Sequence, residues 1–531
     1  MKIVSFTSLR GFYQPLEMME FRLCLHTEQA GIFHMRLTVH HFQHEIAYLE
    51  QELVLTAGEN IRNVSLPAIK NNPAGYGLRV DLVNAIGEVK DSIHAAIDTL
   101  NHWTDFPRYG FLTDFTSQRK DLDAALDNMA AYHINGIQFY DWQYRHDELI
   151  TPVEEFTDPL GRSLSIHTIK RLLDGAHQRG MACMPYLAVY AASLLFWSEH
   201  PDWRLFNNEG KALDFEGFLG IMNPAADSPW INHLVEQCRR VLTELPFDGL
   251  HVDQYGEPKI AYDHHGLAVD IPEAFKQFVI RLKSEFPDKS VVFNAVGNWP
   301  IDALTSAPVD FVYIEIWPPA ITFQDVHQIV LEARKKSSNK PVVIAHYLPA
   351  DRQANNRLTN AVIMACGGSR IEWGENNRLL SNPYFPKHQG IPQALAIALK
   401  TDQDFLIRYS ELIGPTANHI ELSHFQGPVD VMTIARQFGC YWGINLINFS
   451  GLHSTRWDEP QPNPAPLHAV DVAFDVPIQP VAVWVASPDT ESPAMTQLKF
   501  SFQEGRLSLT LPELNLWSLL ILQFNQEDLM L

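Results

Sequence analysis

Two stretches of this chain run apolar and then end in an acid with polar and aromatic neighbours. The first is Phe247-Asp248-Gly249-Leu250-His251-Val252-Asp253-Gln254-Tyr255-Gly256, and the second is Asp310-Phe311-Val312-Tyr313-Ile314-Glu315-Ile316-Trp317-Pro318. Each reads as a buried strand with a carboxylate at its C-terminal end. Two carboxylates over one pocket are the minimum equipment for cleaving a glycosidic bond. One holds a proton near neutral pH for the leaving oxygen, and the other stays ionised to relieve charge at the anomeric carbon. A carboxyl separation of about 5–5.5 Å goes with retention of configuration and about 6.5–9.5 Å with inversion; the sequence leaves both open. Asp253 at a strand end can instead cap a helix or accept structural hydrogen bonds, as Asp248 is expected to do. Glu315 lies between bulky apolar residues, where an acid without a use is costly.

The elements that must position these acids begin at Tyr109, where strand and helix patterns alternate. Strand-like segments fall at 109–115, 134–142, 181–190, 247–256, 290–298, 311–318, 340–348 and 370–375. Amphipathic runs lie near 119–133, 167–180, 229–245, 272–286, 324–338, 355–366 and 393–412. Buried strands alternating with helices mean a parallel sheet, and eight such units predict a (β/α)8 TIM barrel over 99–414. Active sites of that fold sit where the strands run out. The predicted rim supplies Tyr109, Asp114, Tyr140, Asp141, Trp142, Tyr186, Gln254, Asn294, Trp317, Glu372, Trp373 and Glu375 as candidate substrate-binding residues, with His346 and Tyr347 after the seventh strand. Some have plainer readings: Asp114 and Asp141 can orient other groups, Glu372 and Glu375 can pair with Arg370 and Arg378, and Trp142 and Trp373 can be core. Aromatic loops at 192–228 and 376–392 supply faces on which sugar rings stack.

Strand-like alternation over 1–98, with a turn-rich piece at 71–75, predicts an N-terminal β-sandwich, and a second strand-rich region over 415–531 predicts an antiparallel β-domain. His40, His41 and His44 lie close together, yet no Cys or carboxylate frame accompanies them, so strand or loop histidines are the better reading. The five cysteines are scattered and lack metal-ligand spacing. No metal and no cofactor is expected, and no Gly-rich phosphate cradle is found.

The formal net charge of −22 over 531 residues excludes a nucleic-acid footprint and disfavours anionic membrane surfaces. A neutral oligo- or polysaccharide fits it. The N-terminal residues contain no sustained apolar segment of signal-peptide type, and no run of about 18 apolar residues could span a bilayer. The expectation is a cytoplasmic protein.

At these same residues the chain resembles glycoside hydrolase family 66, the dextranases and cycloisomaltooligosaccharide glucanotransferases. The motifs are Phe106-Pro107-Arg108-Tyr109-Gly110-Phe111, Phe139-Tyr140-Asp141-Trp142 with Arg145-His146, Asp253 in its Phe-Asp-Gly setting, Asn294-Ala295-Val296-Gly297, Tyr313-Ile314-Glu315-Ile316-Trp317-Pro318, and the segment from Glu372 to Pro386. The resemblance implies an immunoglobulin-like N-terminal domain, a barrel and a C-terminal β-domain. It also implies retaining double displacement on α-1,6-glucan, with Asp253 as nucleophile and Glu315 as acid/base. Tyr347 is followed by the next helix within about ten residues, leaving no room for the carbohydrate-binding module that the glucanotransferases insert there. That favours endo-dextranase-like hydrolysis over cyclisation. The alternatives are a cycloisomaltooligosaccharide-forming transferase, another retaining α-glycosidase barrel, or a silent carbohydrate-binding protein.

Overall fold

The computed structural model describes residues 1–69, 73–84 and 86–525. At its centre eight parallel strands alternate with helices in one curled sheet. The strands are β1 (Tyr109–Leu112), β2 (Gly136–Phe139), β3 (Ala182–Ala188), β4 (Gly249–Asp253), β5 (Ser290–Val296), β6 (Val312–Glu315), β7 (Val342–Ala345) and β8 (Gly368–Ile371). Each is hydrogen-bonded to the next in chain order. Just past β8, Gly374 pairs in parallel with Phe111 of β1. Nearly every residue of these strands is buried, as expected where both faces of a sheet are covered. The eighth segment breaks at Glu372, whose side chain turns away to Asn360 and Arg370.

The helices that follow the strands are α1 (Leu122–Ala131), α2 (Ile166–Gln178), α3 (Pro229–Glu244), α4 (Ile271–Glu285), α5 (Ile301–Thr305), α6 (Phe323–Lys336), α7 (Gln353–Ala365) and α8 (Gln393–Arg408), with short helices at Leu194–Glu199 and Ser410–Ile413 besides. Several starts follow from local chemistry. The Ser165 and Asp270 side chains accept from Thr168 N–H and Glu273 N–H. Thr322 and Asp325 cap each other's backbone at the start of α6, satisfying amides that a helix leaves unpaired. The sequence pattern gives no sign of α5, because five residues are too few to show a 3.6-residue period.

The first hundred residues form two antiparallel sheets about a shared core. One holds Lys2–Ser8, Met19–Thr27 and Gly58–Leu66, and the other His44–Leu55, Gly31–His41, Gly75–Val83 and Val89–Asp98. Met19, Phe21, Leu23 and Leu25 of one face Met35, Leu37 and Val39 of the other in that core, the alternation expected of half-buried strands. Residues 71 and 72 of the expected turn lie outside the described residues. This unit is pinned to β1 by a fully buried ion pair in which Arg108 donates to both Asp98 oxygens at 2.8 and 3.0 Å. His41 contacts Glu411 at 2.7 Å, and His44 Nε2 lies 2.9 Å from the Gln43 amide nitrogen.

The C-terminal strands also form two antiparallel sheets, of six and three strands, with their own apolar core. The loop between Tyr441–Asn448 and Leu467–Asp475 leaves them and settles on the central unit. Trp457 donates to the Ala320 carbonyl at 3.0 Å, and its ring meets His346 edge-on at 4.0 Å. Asn355 of α7 donates to the Trp457 and Glu459 carbonyls. Among the described residues no helix is long and apolar enough to cross a membrane.

Candidate active site

The C-terminal ends of β2 to β6 and their loops enclose a pocket of about 640 Å³, whose lining includes Asp253, Glu315, Tyr140, Asp141, Tyr186 and Trp317. Register explains why the two acids meet. Val252 of β4 pairs with Phe293 of β5, and Asn294 with Tyr313 of β6, so Asp253, Asn294 and Glu315 lie within two residues of one level on adjacent strands. Asn294 stands on the middle strand, and its Nδ2 donates to Asp253 Oδ1 at 2.9 Å and to Glu315 Oε2 at 3.0 Å. The two oxygens therefore cannot be more than about 5.9 Å apart.

The remaining oxygens are also held. Tyr186 donates to Asp253 Oδ2 at 2.9 Å, and Tyr347 to Glu315 Oε1 at 2.6 Å. Burial raises the Glu315 carboxyl to about 7, the nearby Asp253 charge pushes the same way, and donors from Tyr347, Asn294 and Trp317 oppose both. Burial raises Asp253 too, but the Gln254 amide, Asn294 and Tyr186 stabilise its anion. The Asp253 charge thus adds to burial in raising Glu315, whereas burial alone raises Asp253 against three donors, an asymmetry of the kind that separates a proton-holding carboxyl from an ionised one.

The other expected residues divide by location. Tyr140 lines the pocket with its ring stacked on Phe385 at 4.1 Å. Asp141, left-handed at φ 50°, also lines it, and burial raises its carboxyl to about 7. Gln254 reaches the Trp299 carbonyl at 2.8 Å from the pocket wall. Trp317 is 37% exposed at the mouth, tilted against Tyr347.

Besides Asn294, which stands behind the two acids, six of the expected residues do not line the pocket. Tyr109 is fully buried inside the sheet against His251, with its hydroxyl 3.2 Å from Nδ1. Trp142 is core, packed on Phe247 and donating to the Tyr186 carbonyl. Trp373 stacks on Tyr132 at 3.7 Å behind the sheet. Glu372 is sealed with Arg370, Asn360 and Gln403. Asp114 and Glu375 border a neighbouring cleft. There Glu375 accepts from both Thr113 donors, the Asp114 amide and Arg119, and Asp114 accepts from Thr116; both carboxylates tie loops together.

Of the loop aromatics, Phe215, Phe218 and Tyr384 reach the pocket. Phe196 and Trp203 instead pack around Trp230 and His233. Tyr347, expected only as a rim residue after the seventh strand, is the hydroxyl that holds Glu315. His146, from the Arg145-His146 motif, and Gln143 both line the pocket. Gln143 sits in a turn, and no pattern in the sequence marks it as a site residue. One cluster has ligand-type atoms within 4.8 Å of one another, His177, Cys183 and Asp248. It sits where β3 and β4 begin, at the opposite end from the pocket, and Asp248 Oδ2 already accepts from Cys183 N–H and contacts His177 at 2.9 Å.

The family model for glycosyl hydrolase family 66 matches residues 10–521. The chain belongs to that family. Among relatives, a cycloisomaltooligosaccharide glucanotransferase of Niallia circulans is 27% identical over 349 residues, 61% of this chain and 35% of its own length. A dextranase of Streptococcus salivarius is 23% identical over 319 residues, 53% of this chain and 38% of its own length. The family 66 chain thus spans little more than a third of the curated relatives it matches. A Paenibacillus cycloisomaltooligosaccharide glucanotransferase, crystallised with cycloisomaltoheptaose, superposes with a TM-score of 0.90 at 18% identity, covering 98% of this chain and 99% of that one. An Anoxybacillus α-amylase reaches 0.51 at 13% identity over 80% of this chain.

Proposed function

We propose that this family 66 protein is a retaining glycoside hydrolase that cleaves α-1,6-glucan, dextran or isomaltooligosaccharides, in endo-dextranase fashion. The observation that carries the reading is the single Asn294 nitrogen shared by two carboxylates. It keeps one oxygen of each within about 5.9 Å of the other, short of the roughly 6.5–9.5 Å of inverting enzymes. Asp253 attacks the anomeric carbon to give a glucosyl ester while Glu315 passes its proton to the departing O6. Glu315, now ionised, then takes a proton from water, whose oxygen displaces Asp253. Tyr347 and Asn294 steady the Glu315 anion in the interval between the two steps. Tyr140, Asp141, Tyr186, Gln254 and Trp317 contact the sugars, whose neutral hydroxyls suit a pocket of tyrosines and acids.

The same reading takes the curled sheet as a (β/α)8 barrel over 99–414. It takes residues 1–98 as an immunoglobulin-like sandwich and 415–531 as an antiparallel β-sandwich. The Gly374–Phe111 pairing across the first and last strands supports the closed barrel. Only residues 346–352 separate β7 from α7, which favours release to water over cyclisation.

The test is a product profile of the purified protein on dextran and short isomaltooligosaccharides beside an Asp253→Asn control. Linear isomaltooligosaccharides from the wild type alone bear the proposal out. Cyclic or lengthened products move it to transfer, and no product from any α-1,6-glucan refutes it.

A further inference from the structure

Glu315 is grasped from two loops. Trp317, after β6, hydrogen-bonds it through its indole, and Tyr347, after β7, donates to Oε1 at 2.6 Å. A proton donor works only within a narrow geometry, so whatever fixes these two loops bears on the acid. Part of that fixing comes from the far end of the chain. Phe323 N–H donates to the Thr455 carbonyl at 3.0 Å, and Trp457 N–H donates to the Ile321 carbonyl at 3.1 Å. Thr322 and Arg456 pair between them as an antiparallel bridge. The C-terminal segment thus lies along the loop that carries Trp317.

The side chain of Trp457 joins that loop to the other one. Its Nε1–H donates to the Ala320 carbonyl at 3.0 Å, and Ala320 N–H donates in turn to the Trp317 carbonyl at 3.2 Å. On its other side the indole meets the His346 ring edge-on, with centroids 4.0 Å apart, one residue before Tyr347. Neither ring nitrogen of His346 has a hydrogen-bond partner among the described residues, so packing rather than a polar contact holds that side chain. Burial and the Arg370 charge keep the imidazole well below its ordinary value; it is neutral and takes no part in the proton traffic. Trp457 is itself buried, and its carbonyl accepts from Asn355 of α7 at 2.8 Å. One anchored indole therefore touches the backbone or the neighbour of both residues that hold Glu315.

We propose that Trp457 is a positioning residue for the acid/base. From the C-terminal unit it sets Tyr347 and Trp317 against Glu315 and so supports proton transfer, although it does not line the pocket itself. This rests on the glycosidase reading above. Removing the indole deletes the bond to Ala320 and opens a void beside His346, and both loops can then relax into the space. Misplacing a catalytic group by about 1 Å from a distance costs about a hundredfold in rate. The loss falls on the step that needs the acid, because Asp253 is held from β5 by Asn294 and from the end of β3 by Tyr186, neither of which belongs to the two loops.

The experiment compares two substrates that differ in their need of a proton. Isomaltotetraose departs as a sugar alkoxide unless it is protonated, whereas 4-nitrophenyl α-isomaltoside departs as a stable phenolate and needs little help. The quantity is kcat/KM, which reports formation of the glucosyl ester. In the full chain, Trp457→Ala is expected to lower it about tenfold or more on isomaltotetraose, part of the roughly 10²–10⁴-fold that general acid catalysis supplies. On the nitrophenyl substrate the loss should stay within about threefold on the same ground. A merely structural role would lower both by the same factor, and that result overturns the inference, as do unchanged rates on both. Where Trp457→Ala does not fold, Trp457→Leu, which fills more of the space but lacks the ring and the donor, is read by the same criterion. A wild-type protein active on both substrates, with variants that do not separate them, overturns the positioning role alone. One that turns over neither overturns the glycosidase reading and this inference with it.

Discussion

Replacing Asn294 with alanine should change the pH dependence of the enzyme as well as its rate. The amide nitrogen donates to both acids at 2.9 and 3.0 Å, and each such bond to a charged group contributes about 1.5–3 kcal/mol. Both bonds favour the ionised carboxylates, so their loss raises both pKa values. At about 1.4 kcal/mol per unit, each should rise by roughly one unit or more, and Glu315 already stands at about 7. The acidic limb of kcat/KM, set by ionisation of Asp253, and the basic limb, set by deprotonation of Glu315, should both move to higher pH. The spacing of the acids also loses its brace, and a misplacement of about 1 Å costs about a hundredfold in rate. Initial rates of reducing-end release from isomaltotriose, taken from pH 4 to 10, give both quantities. A variant whose KM rises while both limbs stay in place would show that Asn294 only touches substrate, and would refute its role as the shared donor.

Glu315→Gln should abolish turnover and yet stabilise the fold in base. A buried carboxyl raised from 4.5 to about 7 gives stability that is complete below pH 4.5 and lost as pH rises through 7, about 3 kcal/mol in all. Thermal unfolding should therefore place the variant above the wild type at pH 8 and level with it at pH 4; equal Tm at both would count against the burial argument. Trp317→Ala should raise KM about tenfold by removing an exposed aromatic face at the mouth, whereas Trp317→Phe should keep KM near the wild-type value. Equal loss in both variants would mean that the indole hydrogen bond to Glu315, and not the ring face, is what matters.

Much of this was legible in the sequence because acids inside apolar strands are rare and strand ends have a known direction. Asp253 and Glu315 stood out on that ground, and the eight strand segments fell close to the observed ones. What the sequence did not convey is which way a side chain at a strand end turns. Tyr109 and Trp142 lie beside rim positions, yet they point into the sheet and the helix layer; Glu372 turns outward to Asn360 and Arg370. Asn294 read as one more polar rim residue, because its bridging role appears only when three strands are set in register. His146 falls in the Arg145-His146 motif, whereas Gln143 sits in the same turn with no pattern to mark it.

The loop that carries Trp457 bears on how this protein can be shortened. Its indole closes over His346, the residue before the tyrosine that holds Glu315, and its backbone is fastened by Asn355. The last hundred residues are therefore no detachable accessory. A truncated chain ending at the close of α8 would keep every residue of the pocket, yet it would uncap the side from which Glu315 is held. Engineering by domain exchange would do better to carry residues 449–466 along with the central unit, and to treat the seam as lying beyond them.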